Sequence, residues 1–185
     1  MSTFSLSRTR SRIPSRSVVS GSVCPHDATA CLHTQGQSVR QYPDPLLTRR
    51  ALPVAGVHAE MPHFAALLIR MMQKHGRHAL AAPQLGIDGR VVVVELEDEP
   101  MCLVNPQLEP LSRRITVIET CVSRPGVQAV ARRYRRVRVT GWDHRSTPQR
   151  FDLDGPAALA LQHAVDHLDG RVICAGLPAL RTGDR

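Results

Sequence analysis

Aromatic residues are scarce: one Trp, two Tyr and three Phe, 3% of the 185 residues. A base-stacking nucleic-acid platform and the aromatic belts of membrane proteins both need more. No stretch reaches 18 consecutive apolar residues, so a transmembrane helix is excluded and no membrane partner is expected. Lysine is nearly missing, with Lys74 the only one, so arginine carries the formal net charge of +8. Such a skew reflects a GC-rich genome more than selection for binding, and no specific nucleic-acid partner is expected. Cysteine is sparse and odd in number: Cys24, Cys31, Cys102, Cys121 and Cys174. That set is no disulfide framework and fits a reducing compartment. What is present suffices for a core, since 42% of residues are apolar.

The first 37 residues differ from the rest. They are rich in Ser and Arg, hold no acid before Asp27, and show no sustained apolar period. They lack the apolar core of a secretory signal. An organellar transit peptide, a disordered tail and a start codon placed too far upstream stay open as readings. Cys24-Pro-His26 and Cys31-Leu-His33 offer four potential ligands, but their spacing matches no zinc finger, and chance explains it. A single folded domain is expected over 38–185. A second basic stretch lies at 130–150, where seven arginines face one acid, Asp143. It could steer an acidic or RNA-rich partner, but a solvated strand face is the simpler reading.

Phe64, Leu67, Leu68, Met71 and Met72 follow the apolar spacing of an amphipathic helix, with Pro62 in its first turn and Gly76 at its end. Arg90–Glu95 is a β-branched run and predicts a strand. Further strands are expected at Cys102–Asn105, Ile115–Glu119 and Val137–Trp142, the last with one solvated face. A final helix should start near Pro156, run to Leu168 and stop at Gly170. Strands followed by a buried helix, without β-α-β alternation, indicate an α+β domain.

That final helix reads Leu161-Gln-His-Ala-Val-Asp-His-Leu-Asp-Gly170. His163 and His167 are four apart, so both imidazoles leave one helical face and can reach one ion. Alone, the pair could equally be a packed histidine couple. Two other segments bear on it: His78-Ala-Leu-Ala-Ala-Pro-Gln-Leu-Gly86 and Glu119-Thr-Cys-Val-Ser123. In this order the three resemble the signature motifs of the peptide deformylase family, GxGLAAPQ, EGCLS and QHExDHLxG. Gln41-Tyr-Pro-Asp-Pro-Leu46 and Leu103-Val-Asn-Pro106 resemble the family's N-terminal segment and central strand. The resemblance spans roughly residues 39 to 175 and implies the family's α+β fold, antiparallel or mixed sheets around a central metal-binding helix.

It also implies a division of labour. Cys121, His163 and His167 would hold one divalent ion, Fe2+ first and Zn2+ or Ni2+ as alternatives. Three protein ligands plus a water form an open, catalytic arrangement. The water so activated attacks the formyl group of an N-formylmethionyl peptide. Gln84 and the backbone N–H of Val122 would hold the developing oxyanion, and Ala79 and Leu80 would line the substrate site. The implied partner is a nascent peptide N-terminus, with ribosome proximity, in the bacterial cytoplasm, or in an organelle if the tail is a transit peptide.

This chain departs from the family at several points. The HExxH glutamate, the family's general base, is Ala164 here. General acid–base catalysis is worth about 100- to 10,000-fold. With His163 at 0° on a helical wheel and His167 at about 40°, Ala164 falls near 100° and Asp166 near 300°. Asp166 is thus better placed to orient a histidine than to act as base. Glu119 shares the side of Cys121 on a strand and reads as structural. Arg77 and Ala79 replace the glycines of GxG, Thr120 replaces the glycine beside Cys121, and Val122 replaces its leucine. The chain also leaves little room after Leu180 for the C-terminal helix of some bacterial members. Three readings follow: a metal-binding relative with weak or lost deformylase activity, a working amide hydrolase, and a non-catalytic binder of formyl peptides or inhibitors.

Because residues 1–37 carry no periodic apolar face, limited proteolysis should trim the chain to near Val39 without lowering the melting temperature. A large loss of stability on deleting the tail would contradict this.

Overall fold

The computed structural model describes residues 38–56, 59–97, 99–173 and 180–181. In chain order these form α1 (Pro45–Thr48), α2 (Met61–Lys74), β1 (Ala79–Ala81), a 3-10 turn (Ala82–Leu85), β2 (Val91–Val94) and β3 (Met101–Pro110). They continue as β4 (Arg114–Cys121), β5 (Arg124–Tyr134), β6 (Arg136–Trp142), β7 (Pro148–Asp154), α3 (Gly155–Leu168) and β8 (Leu180–Arg181). One sheet has five strands in the order β1-β2-β3-β6-β7, and a second has three in the order β4-β5-β8. Every described pairing is antiparallel. The cysteine–histidine pairs at 24–33, Cys174 and the tail lie outside the described residues.

The four valines of β2 explain the layering. Val92 and Val94 point to one face, where Ala81, Leu103, Phe151, Leu153, Leu161 and Leu168 are buried. Val91 and Val93 point to the other, against Phe64, Leu68, Met72 and Leu80. A strand buried on both faces reads as an unbroken apolar run rather than an alternating one. The sheet therefore lies between α2 and α3, and α3 reaches β1, β2, β5, β6 and β7.

The expected helices and strands are present within a few residues. Two long strands, β5 and β7, were not expected. β7 does carry the alternation, with Phe151 and Leu153 buried between Arg150, Asp152 and Asp154. β5 opens with Pro125-Gly126 and is arginine-rich, which hides it. Four of the seven arginines of the basic stretch form ion pairs: Arg133 with Glu119 and Asp166, Arg135 with Asp154, Arg136 with Asp152, and Arg138 with Asp152 and Glu109.

The end of α3 is pinned by the segment after α1. The Ala51 N–H donates to the Leu168 carbonyl at 2.8 Å, and Arg90 donates to the same carbonyl and to Asp169 Oδ1 at 2.9 Å. Gly170 adopts φ +72° with the Arg49 backbone packed on it, so an added Cβ would meet Arg49 C at 2.6 Å and its carbonyl oxygen at 2.8 Å. Both the left-handed conformation and the contact demand glycine. Gly170→Ala should lose at least about 1–2 kcal/mol from the conformation alone. In a domain of this size that lowers the melting temperature by at least about 2 °C, read by calorimetry.

Candidate metal centre

The histidines stand on α3 because Leu161, Ala164 and Leu168 bury its apolar stripe and leave His163 and His167 turned to β4. Cys121 ends β4, at an irregularity in its pairing with β5. The Cys121 Sγ lies 3.1 Å from His167 Nε2, which lies 3.3 Å from His163 Nε2. The three ligand atoms all fall within 4.8 Å of one another.

Each imidazole presents its Nε2 for a reason. His163 Nδ1–H donates to Glu119 Oε2 at 3.0 Å, which turns its Nε2 toward Cys121 and His167. His167 is fully buried; its Nε2 faces Cys121 Sγ, and its Nδ1 has no partner among the described residues. Two nitrogens and a sulfur turned to a common point fit one borderline-soft divalent ion.

Glu119 is held in turn by Arg133, whose Nε and Nη2 donate to its two oxygens at 2.7 and 2.9 Å. Arg133 also donates through Nη1 to Asp166. Burial would raise the Glu119 pKa, but the hydrogen bonds from Arg133 and His163 outweigh it and hold the carboxyl near 2. Burial would likewise raise the Cys121 thiol, yet His163 and His167 bring it down to about 5, which favours the thiolate. For His163 burial opposes the cation, and Cys121 and Glu119 lift it to about 9.

Gln84 sits in the 3-10 turn and is 2% exposed. Its Oε1 accepts from the Ala81 N–H at 3.0 Å, so its Nε2 must face the site, 3.2 Å from Ser123 Oγ and 3.8 Å from Cys121 Sγ. The segment ahead of α1 braces both loops. Arg40 N–H donates to Gln84 O, Tyr42 N–H to Ser123 O, and Gln41 Nε2 to Val122 O.

Beside the centre opens a cleft of about 330 Å³, lined by Ala79, Gln84, Glu119, Cys121, Val122 and His163 among others. Leu159 and Ala160 supply an apolar wall from α3. Two expectations need correction. The side chain of Leu80 does not line the cleft, because strand alternation turns it into the core against α2, where it is fully buried. The residue that orients a histidine is Glu119, not Asp166; Asp166 faces Arg133 and Arg171 on the other flank of α3. Ala164 is 1% exposed and packs with Ala81 and Leu161, outside the cleft-lining set.

The metal content of the purified protein tests this geometry. We expect about one divalent ion per chain in the parent and none in Cys121→Ala or His167→Ala. Glu119→Gln should weaken the ion's binding by about 10- to 100-fold, the usual effect of removing a carboxylate behind a liganding histidine. Equal metal in the cysteine and histidine variants would refute the assignment.

The comparisons with known proteins agree with the geometry. The family model for polypeptide deformylase matches residues 37–181. A peptide deformylase of Desulforudis audaxviator is 37% identical over 134 residues, 71% of this chain and 87% of that one. The crystal structure of peptide deformylase from Thermotoga maritima superposes with a TM-score of 0.68 at 30% identity, covering 72% of this chain and 92% of that one. A peptide deformylase from Synechococcus elongatus, solved in complex with actinonin, gives a TM-score of 0.72 at 28% identity, covering 86% and 88%. Shared sequence, shared fold and a cysteine set against two histidines lead to one conclusion: this chain belongs to the polypeptide deformylase family.

Proposed function

We propose that this protein binds a divalent metal through Cys121, His163 and His167 and an N-formylmethionyl peptide in the adjoining cleft, and that it hydrolyses the formyl group weakly or not at all. Ferrous iron is the first choice of metal, and zinc or nickel would suit the same thiolate and imidazoles. The reading places the protein in the bacterial cytoplasm, near ribosomes where formylated chains emerge.

The ion, once bound, supplies Lewis acidity and a water acidified toward neutral pH. The protein's own residues do the rest. Gln84 Nε2, fixed by the Ala81 N–H on its oxygen, donates toward the reacting carbonyl, together with the Val122 N–H. Leu159 and Ala160 accept an apolar side chain. What is missing is a proton carrier, since Ala164 offers a methyl group.

The observation that carries the reading is the state of the neighbouring carboxylates. Glu119 is the only carboxylate lining the cleft among the described residues. Both its oxygens are bound by Arg133, and with its pKa near 2 it accepts no proton at neutral pH. Asp166 is paired with Arg133 and Arg171. Neither can replace the absent base.

Ala164→Glu tests this directly. Glutamate is nearly as good a helix former as alanine, but position 164 is 1% exposed in the core, so the variant's melting temperature and metal content are read alongside its activity. Its burial should lift its pKa toward the range that suits a base at neutral pH. Formate release from a formyl-Met peptide should rise at least about 100-fold over the parent. The same change in a Cys121→Ala background should do nothing. A parent already as active as working deformylases, or a metal-loaded Ala164→Glu protein with no gain, would overturn the reading.

A further inference from the structure

Arg77 and Thr120 stand where the family motifs have glycines, and both line the cleft. The structure joins them: Arg77 Nη1 donates to Thr120 Oγ1 at 2.9 Å. The arginine is not placed there by chance of a floppy loop. Helix α2 ends with Gly76 at φ +57°, the Gly76 N–H donating to Gln73 O at 2.9 Å and the Arg77 N–H to Met72 O at 3.0 Å. That pair of bonds closes a helix in a fixed way and sets the next residue's backbone. The negative end of the helix dipole also favours a cation at this position.

The guanidinium is under-used. It has five N–H donors. Thr120 is its only side-chain partner among the described residues, and it makes no ion pair. Its Nε is buried without a partner among the described residues. Most arginines of comparable burial here have a carboxylate, as Arg90 has Asp169 and Arg133 has Glu119. A fork-shaped cation at a cleft, half-buried and with no anion among the described residues, is suited to receive one, and the planar group that matches it is a carboxylate.

We propose that Arg77 is a specificity-determining residue, and that the ligand of this cleft is an acidic peptide whose Asp or Glu side chain pairs with its guanidinium across from Thr120. The inference rests on the reading that the cleft takes a formylated peptide. It adds what that reading does not supply: which peptides are taken. Apolar walls from Leu159 and Ala160 hold one side chain, while Arg77 at the rim reads the charge of a neighbouring one.

Isothermal titration of the metal-loaded full chain decides it. The probes are two isosteric pairs with amidated C-termini, formyl-Met-Glu-Ala and formyl-Met-Gln-Ala, then formyl-Met-Ala-Glu-Ala and formyl-Met-Ala-Gln-Ala. The parent should favour the Glu member of at least one pair by about tenfold or more, as charge-assisted hydrogen bonds do over neutral ones. The preference should shrink with salt. Arg77→Gln, with metal content and melting temperature as in the parent, should bind both members equally and the Gln peptides as well as the parent does. Equal affinities in the parent, or a preference that survives in Arg77→Gln, overturn the role of Arg77 alone. If none of the four peptides binds, the peptide reading falls as well.

Discussion

A single guanidinium, only 12% exposed, holds the candidate metal centre together. Arg133 leaves β5, grips Glu119 on β4 with two donors and reaches Asp166 on α3 with a third. Through Glu119 it fixes His163, and so the direction of the nitrogen that faces Cys121. One side chain thus ties the three-stranded sheet to the central helix and sets a ligand's tautomer. A buried charge of this kind is stable only while all its partners are in place; taking away one partner of such a pair typically costs about 3–5 kcal/mol. The strength of the arrangement also explains its chemical quietness. A carboxylate saturated by an arginine is a good anchor and a poor base.

The sequence announced the centre better than its surroundings. The i, i+4 spacing of His163 and His167 and the three ordered motifs picked out the residues that the fold brings together, because helical spacing and family motifs are local properties. The long valine run gave β2 for the same reason. Arg133 was invisible: it looked like one more charge in a basic stretch, and nothing local says that it faces inward. Its partner Glu119 was read as structural, and Asp166 was given the orienting task, because a helical wheel ranks angles but does not show what stands opposite. β5 was missed because Pro125-Gly126 and its arginines carry no strand signature, and its place is set by pairing with β4. The bond between Arg77 and Thr120 joins residues 43 positions apart and belongs to the tertiary structure alone.

The departures from the family form a pattern rather than a scatter. The cysteine and two histidines that could hold an ion are present, as are Gln84 and the glycine at 170 that backbone crowding enforces. What changes lies on the substrate side: the base at Ala164 and the glycines at the cleft rim. The fold still requires what packing requires, while the rim has gained side chains that can recognise something.

The brace formed by Arg40, Gln41 and Tyr42 has a consequence for how the molecule comes into being. It ties the earliest described segment to Gln84 and to the loop after Cys121. The thiol must then meet an imidazole 46 positions further on. Everything up to His167 has to leave the ribosome before these side chains can face one another, and contacts between such distant segments form slowly. An ion that binds only this completed arrangement adds its affinity to the folded state alone. Scarcity of metal in the cell would then be felt first as a shortage of folded protein.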